Sequence, residues 1–192
     1  EARTERLLQA LQAGQLDVAL MALPSGGSDL IEEELFRDHF LLAGSNMRLA
    51  QMQLSQPEIS PQNLRNEQLM LLEDGHCLTD QALEVCGMQR GSAGINMGAG
   101  SLATLSRLVA AGFGLTLMPE LAVQSECSAS EGLCVARFGG TEPFRRIGLV
   151  RRASTDGSGW FQDLAMVVRE TGEQVLAKAR KNYGPATGAP VK

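Results

Sequence analysis

Three short, predominantly apolar runs constrain this chain most: LDVALMAL (16–23), QLMLL (68–72) and GLTLMP (114–119). Each is flanked by turn formers and is too short for a buried helix. Each therefore reads as a strand covered on both faces, the habit of parallel sheets. Between them lie stretches of helical period. Leu7, Leu8 and Leu11 share one face of 2–13, with Gly14 as its C-cap. SLATLSRLVAAG (101–112) aligns Leu102, Leu105, Leu108 and Val109 between Ser101 as N-cap and Gly112 as C-cap. Shorter strands are predicted at 31–36, 39–43, 133–138 and 146–152, and a short helix starts at Ser60–Pro61. A helix-like stretch spans 77–88, and a Gly-rich linker spans 91–100. Residues 124–132 read as a polar loop, a last helix runs from about Trp160 to about Lys178, and the tail NYGPATGAPVK reads as disordered. Strands alternating with helices predict α/β layers.

Composition narrows the function. The net charge of −5, with no basic stripe, makes this chain alone a poor nucleic-acid binder. No apolar run reaches membrane-spanning length, and EARTERLLQA is not a signal peptide, so the cytoplasm is the expected compartment and no membrane partner is expected. The four cysteines, Cys77, Cys86, Cys127 and Cys134, are expected to be reduced there. With no CxxC pair and only two histidines, neither a metal nor a cofactor is expected.

The chemistry concentrates in MLLEDGHCLTDQALEVC (70–86). If 77–86 is helical, the rise of about 1.5 Å per residue sets Cys77 and Cys86 roughly 13–14 Å apart along the axis. Nine steps of about 100° also place them on opposite faces. A disulfide needs Cα atoms within about 7 Å. The two thiols can therefore bond only if the helix breaks, and oxidation would then be a conformational switch. Cys77 in the first turn would feel the helix N-terminus, which favours a thiolate, and His76 could add a donor. Glu73 and Asp74 work against the thiolate, so a remote cation is needed. The competing reading is that both cysteines are inert packing residues. Cys127 and Cys134 read as loop thiols without a role.

GLTLMP after SLATLSRLVAAG resembles the effector domain of LysR-type transcriptional regulators. LLEDGHCLTDQALEVC, SLATLSRLVAAGFGLTLMPELAV and RRIGLV are similar to the peroxide-sensing members of that family, over residues from about 2 to about 172. The resemblance implies two α/β subdomains of the periplasmic-binding-protein type (type 2), joined by two crossovers. It assigns 1–37 plus 144–192 to the first and 38–143, with the redox cysteines, to the second. It implies Cys77 as peroxidatic and Cys86 as resolving cysteine, with His76 near the reacting sulfur. Arg145, in EPFRR, would be the cation that stabilises the thiolate. Thr4 and Gly75 would help to hold peroxide, and Ser101 and Thr104 would line the inter-subdomain cleft, N-capping and helix-face packing being equally weighted readings of that last pair. The family's winged helix-turn-helix, linker helix and first effector-domain strand, with a second peroxide-binding threonine, have no counterpart in the sequence.

The implied function is a transcription-regulating peroxide sensor and not an enzyme. It would act as a homodimer (a tetramer in the complete protein), reset by glutaredoxin or thioredoxin, and meet DNA and RNA polymerase only through the complete protein. Two other functions compete. One is an effector domain binding a small organic ligand, its cysteines idle. The other is a thiol enzyme, either a peroxidase or a Cys–His hydrolase, and nothing in the sequence marks the oxyanion hole a hydrolase needs.

Overall fold

A computed structural model of the protein describes residues 2–27, 29–55, 58–66, 69–73, 77–89 and 98–184. Its elements run α1 (Thr4–Gln12), β1 (Val18–Leu23), β2 (Leu30–Ser45), α2 (Asn46–Ser55), a 3₁₀ turn (Pro61–Asn66), α3 (Cys77–Cys86), α4 (Leu102–Ala110), β3 (Thr116–Pro119), α5 (Glu120–Ala129), β4 (Leu133–Ala136), β5 (Phe144–Arg152) and α6 (Trp160–Asn182). The chain separates into two units. One holds the residues up to Asp38 together with Phe144–Leu176; the other holds His39–Pro143 and the chain from Ala177 onward.

In the first unit, β1 lies at the sheet edge and pairs antiparallel with β5, from Val18 opposite Arg151 to Leu23 opposite Arg146. Ala19, Met21 and Leu23 face inward against Leu11 and Val150. Leu20 points out, 49 % exposed. The expectation of a parallel strand covered on both faces is therefore corrected here. The unbroken apolarity of VALMAL (18–23) conceals an ordinary alternation, because an edge strand tolerates an outward leucine.

β2 replaces the two short strands expected at 31–36 and 39–43; Arg37 and Asp38 between them stay extended, with no Gly or Pro to break the strand, which continues from one unit into the other. In the second unit its later residues pair antiparallel with β3, from Phe40 opposite Pro119, and with β4, from Leu42 opposite Ala136. Side-chain alternation then builds a core on each face. Phe40, Leu42, Leu117, Cys134 and Ala136 join one cluster, and Leu41, Ala43, Met118, Leu133 and Val135 the other. The 68–72 run forms no extended strand among the described residues. Leu69 and Leu72 make single parallel bridges to Leu115 and Ala99.

The expected polar loop at 124–132 is instead largely α5, which ends at Ala129. Its polar composition hides the helix, because Glu120 and Val123 are its buried residues. Glu120, fully buried, accepts from Arg137 on one side and from Arg180 at 3.1 Å on the other. Arg137 also reaches Glu142 at 3.0 Å and donates to the carbonyl of Tyr183. Burial opposes the charge of Arg137, but the bonds and charges of Glu120 and then Glu142 raise its pKa above the ordinary value. The same network explains why the end of α6 groups with the second unit, where the sequence reading kept 144–192 whole. It also orders the start of the expected disordered tail. Asn182 is helical and Tyr183 is buried; residues 185–192 lie outside the described residues.

Breaking a buried ion pair from one side leaves uncompensated charge, at a cost of about 3–5 kcal/mol. Glu120→Ala should therefore lower unfolding stability by about 3 kcal/mol or more in urea titration. Arg180→Ala, which removes the half-exposed partner, should cost about 1 kcal/mol or less.

Candidate functional site

α3 carries a thiol at each end. Cys77 is its first residue and exposed; Cys86 is its last and fully buried, packed with Leu83, Leu64 and Leu71. All four sulfurs are thiols, none of them in a disulfide. The helix therefore spans the interval between the two cysteines without remainder, and its geometry holds their Cα atoms about 13 Å apart.

Each end of α3 is fastened by identifiable bonds. At the C-terminus, Gly87 takes φ +59°, the amide of Gly87 donates to the carbonyl of Glu84 at 3.0 Å, and that of Met88 to Leu83 at 2.9 Å. This is a Schellman cap, completed by Met88 packing on the same core cluster. At the N-terminal turn, the Thr79 hydroxyl donates to the carbonyl of Leu72 at 3.0 Å. The inner face buries Thr79, Ala82, Leu83 and Cys86. An exposed thiol at a helix N-terminus is open to a small oxidant, whereas Cys86 can react only after leaving the core.

His76 and Gly75 lie outside the described residues. Thr4 opens α1 and Arg145 sits in β5, both in the first unit; Cys77, Cys86, Ser101 and Thr104 belong to the second. Ser101 is the N-cap of α4, its hydroxyl accepting from the Thr104 amide at 3.2 Å and lying 3.1 Å from the Thr104 hydroxyl. Arg145 directs Nε and Nη2 to one oxygen of Asp38, at 2.9 and 2.8 Å, and that carboxylate is fully buried. Sequence reasoning missed two residues here. Asp38 left only a weak signal, an acid just before the apolar run Phe40–Ala43 of β2, in a strand that carries three further glutamates. Thr79 left none, because its bond goes to a backbone carbonyl seven residues back.

Cys127 and Cys134 are corrected as loop thiols: Cys127 is on α5 and Cys134 is buried in β4. Burial, and then the proximity of Cys134, push the Cys127 thiol up to about 11, with a hydrogen bond from Tyr183 acting the other way. Cys134 packs in one core cluster and Cys127 against the other. No metal-holding group of three or more His, Cys, Asp or Glu exists among the described residues, and no helix there is long and apolar enough to cross a membrane.

The chain and its two-unit fold have known counterparts. Residues 1–173 match the LysR substrate binding domain, and the chain belongs to that family. Within it, the similarity runs to OxyR regulatory domains. A probable hydrogen peroxide-inducible genes activator of Streptomyces viridosporus is 39 % identical over 172 residues, which are 88 % of this chain and 54 % of that protein. An H2O2-bound mutant of OxyR from Corynebacterium glutamicum superposes with a TM-score of 0.83 at 32 % identity, covering 97 % of this chain and 58 % of that one. The reduced regulatory domain of OxyR2 from Vibrio vulnificus gives a TM-score of 0.75 at 34 % identity, covering 88 % and 78 %. The chain spans about half the length of the curated relatives it matches.

The thiols should label in an order set by exposure and protonation. Pulsed alkylation at pH 8 with peptide mass spectrometry should modify Cys77 first and Cys127 more slowly. Cys86 and Cys134 should react only under denaturing conditions. Because the Cys127 pKa is raised on folding, its contribution to stability is full below the unfolded thiol value and is lost as pH rises towards about 11. The Tyr183 hydroxyl is also shifted up, by burial and then by Cys127. Cys127→Ala should flatten that alkaline loss in urea titrations between pH 8 and 11.

Proposed function

We propose that this chain is the peroxide-sensing regulatory domain of a LysR-type transcription regulator. The observation that carries the reading is α3 itself, with one exposed and one buried thiol at its two ends. The Cys77 thiolate attacks hydrogen peroxide, taking one oxygen as sulfenic acid while the other leaves as water. The Cys86 thiol then displaces a second water from that sulfenic acid and forms the disulfide. Two thiols lose two electrons and one peroxide gains them. The helix yields in the second step, and the change in the second unit is what the complete regulator reads.

Arg145, at the position of the family's arginine, is the residue assigned the charge that favours the Cys77 thiolate, with His76, Gly75 and Thr4 holding the oxidant. Self-association, a thioredoxin- or glutaredoxin-type reductant and action on DNA belong to the complete protein in this reading, as does a place in the cytoplasm. The similarity to peroxide-inducible activators favours a sensor over an enzyme. The alternative is an effector domain that takes an organic ligand and leaves its cysteines idle; the capping role of Ser101 and Thr104 does not favour it.

One equivalent of H2O2 should remove two titratable thiols and yield a Cys77–Cys86 disulfide by mass spectrometry; loss of no thiol would instead support the ligand-binding alternative. Cys86→Ser should stop at a persistent Cys77 sulfenic acid, trapped by dimedone. Arg145→Ala should slow oxidation of Cys77 by H2O2 about tenfold or more at pH 7, because a nearby cation favours the reacting thiolate; an unchanged rate would remove Arg145 from the site.

A further inference from the structure

We infer that Thr79 is the latch that sets how readily α3 opens, and hence the rate and equilibrium of disulfide closure; this rests on the sensing function proposed above. The hydroxyl of Thr79, on the first turn after Cys77, donates to the carbonyl of Leu72 at 3.0 Å in a buried setting. That carbonyl belongs to the segment pinned to its neighbours by the bridge between Leu72 and Ala99 and by the amide of Glu73 donating to Ala99 at 3.1 Å. The bond thus ties the front of α3 to a fixed part of the unit. The C-terminal end of α3 is held by a glycine cap and by apolar packing. The inner face at Thr79 is less well filled, for a cavity of about 10 Å3 lies among Leu71, Leu72, Leu78, Thr79, Ala82 and Leu105. That is the lower limit for one water. Packing beside this turn is incomplete, and the hydrogen bond is a directional contact that holds the turn carrying Cys77 in helical register. Thr79 touches neither peroxide nor sulfur; it is a positioning residue.

Two substitutions separate the bond from packing. Thr79→Val removes the hydroxyl, keeps the volume and is close in helix propensity. Thr79→Ser keeps the hydroxyl and enlarges the cavity. If the bond is the latch, α3 amides of the reduced Thr79→Val protein should exchange with solvent about five- to tenfold faster, as expected for one hydrogen bond. The step from sulfenic acid to disulfide should accelerate by a similar factor, while the initial loss of the Cys77 thiol to H2O2 keeps its rate. The dithiol–disulfide equilibrium should move the same five- to tenfold toward disulfide, about 20–30 mV more negative for a two-electron couple. Thr79→Ser should stay close to the parent. Parent-like exchange in Thr79→Val, or greater loosening in Thr79→Ser than in Thr79→Val, would overturn the latch. Absence of any Cys77–Cys86 disulfide in the parent would defeat the sensing function and the gating role with it, while the exchange comparison would still decide whether the bond holds the turn.

Discussion

An α-helix rises about 1.5 Å per residue, and that fixed pitch governs what the two cysteines of α3 can do. With Cys77 at its first position and Cys86 at its last, the helical state separates two thiols that could otherwise pair. Every other property of the segment follows from this separation. The exposed end is accessible without cost. The buried end is protected by the core cluster of the second unit, so its thiol becomes available only when local structure is given up. Redox state and secondary structure are thereby coupled through geometry.

Such a coupling requires an element of low local stability inside a unit that stays folded. The surroundings of α3 meet that requirement unevenly. Its inner face buries Ala82, Leu83 and Cys86, and returning a leucine side chain to water costs about 1.5–3 kcal/mol. Its ends are fastened by a glycine cap and, among other contacts, by the Thr79 hydroxyl. The rest of the unit is bound more strongly, by two-sided packing of β2, β3 and β4 and by the buried carboxylate of Glu120 between Arg137 and Arg180. The second pair of thiols shows the contrast. Cys127 on α5 and Cys134 on β4 lie within the same unit but pack with different core clusters, and Cys127 is held as a neutral thiol.

Local signals were legible in the sequence where the chain itself carries the constraint. Ser101 caps α4 because a serine hydroxyl can reach an amide three residues on, and α3 ends at Cys86 because Gly87 permits a left-handed cap. The β3 strand stops at Pro119 for an equally local reason. Elements fastened from a distance were not legible. α5 exists through a buried glutamate whose partners lie 17 and 60 residues further on, in a stretch that otherwise reads as a polar loop. The outward turn of Leu20 depends on β1 being the edge of its sheet, which no window of eight residues reveals. At the site the same division holds. The spacing of Cys77 and Cys86 is explicit in the chain, whereas the Asp38 partner of Arg145, 107 residues away, and the Thr79 bond to Leu72 emerge only on folding.

Hydrogen–deuterium exchange on the parent protein in its dithiol and disulfide states tests the coupling most directly. The account predicts that amides of residues 77–86 lose protection once the Cys77–Cys86 disulfide has formed, while those of β2, β3 and β4 keep theirs. Equal protection of 77–86 in both states, with that disulfide confirmed by mass spectrometry, would contradict it.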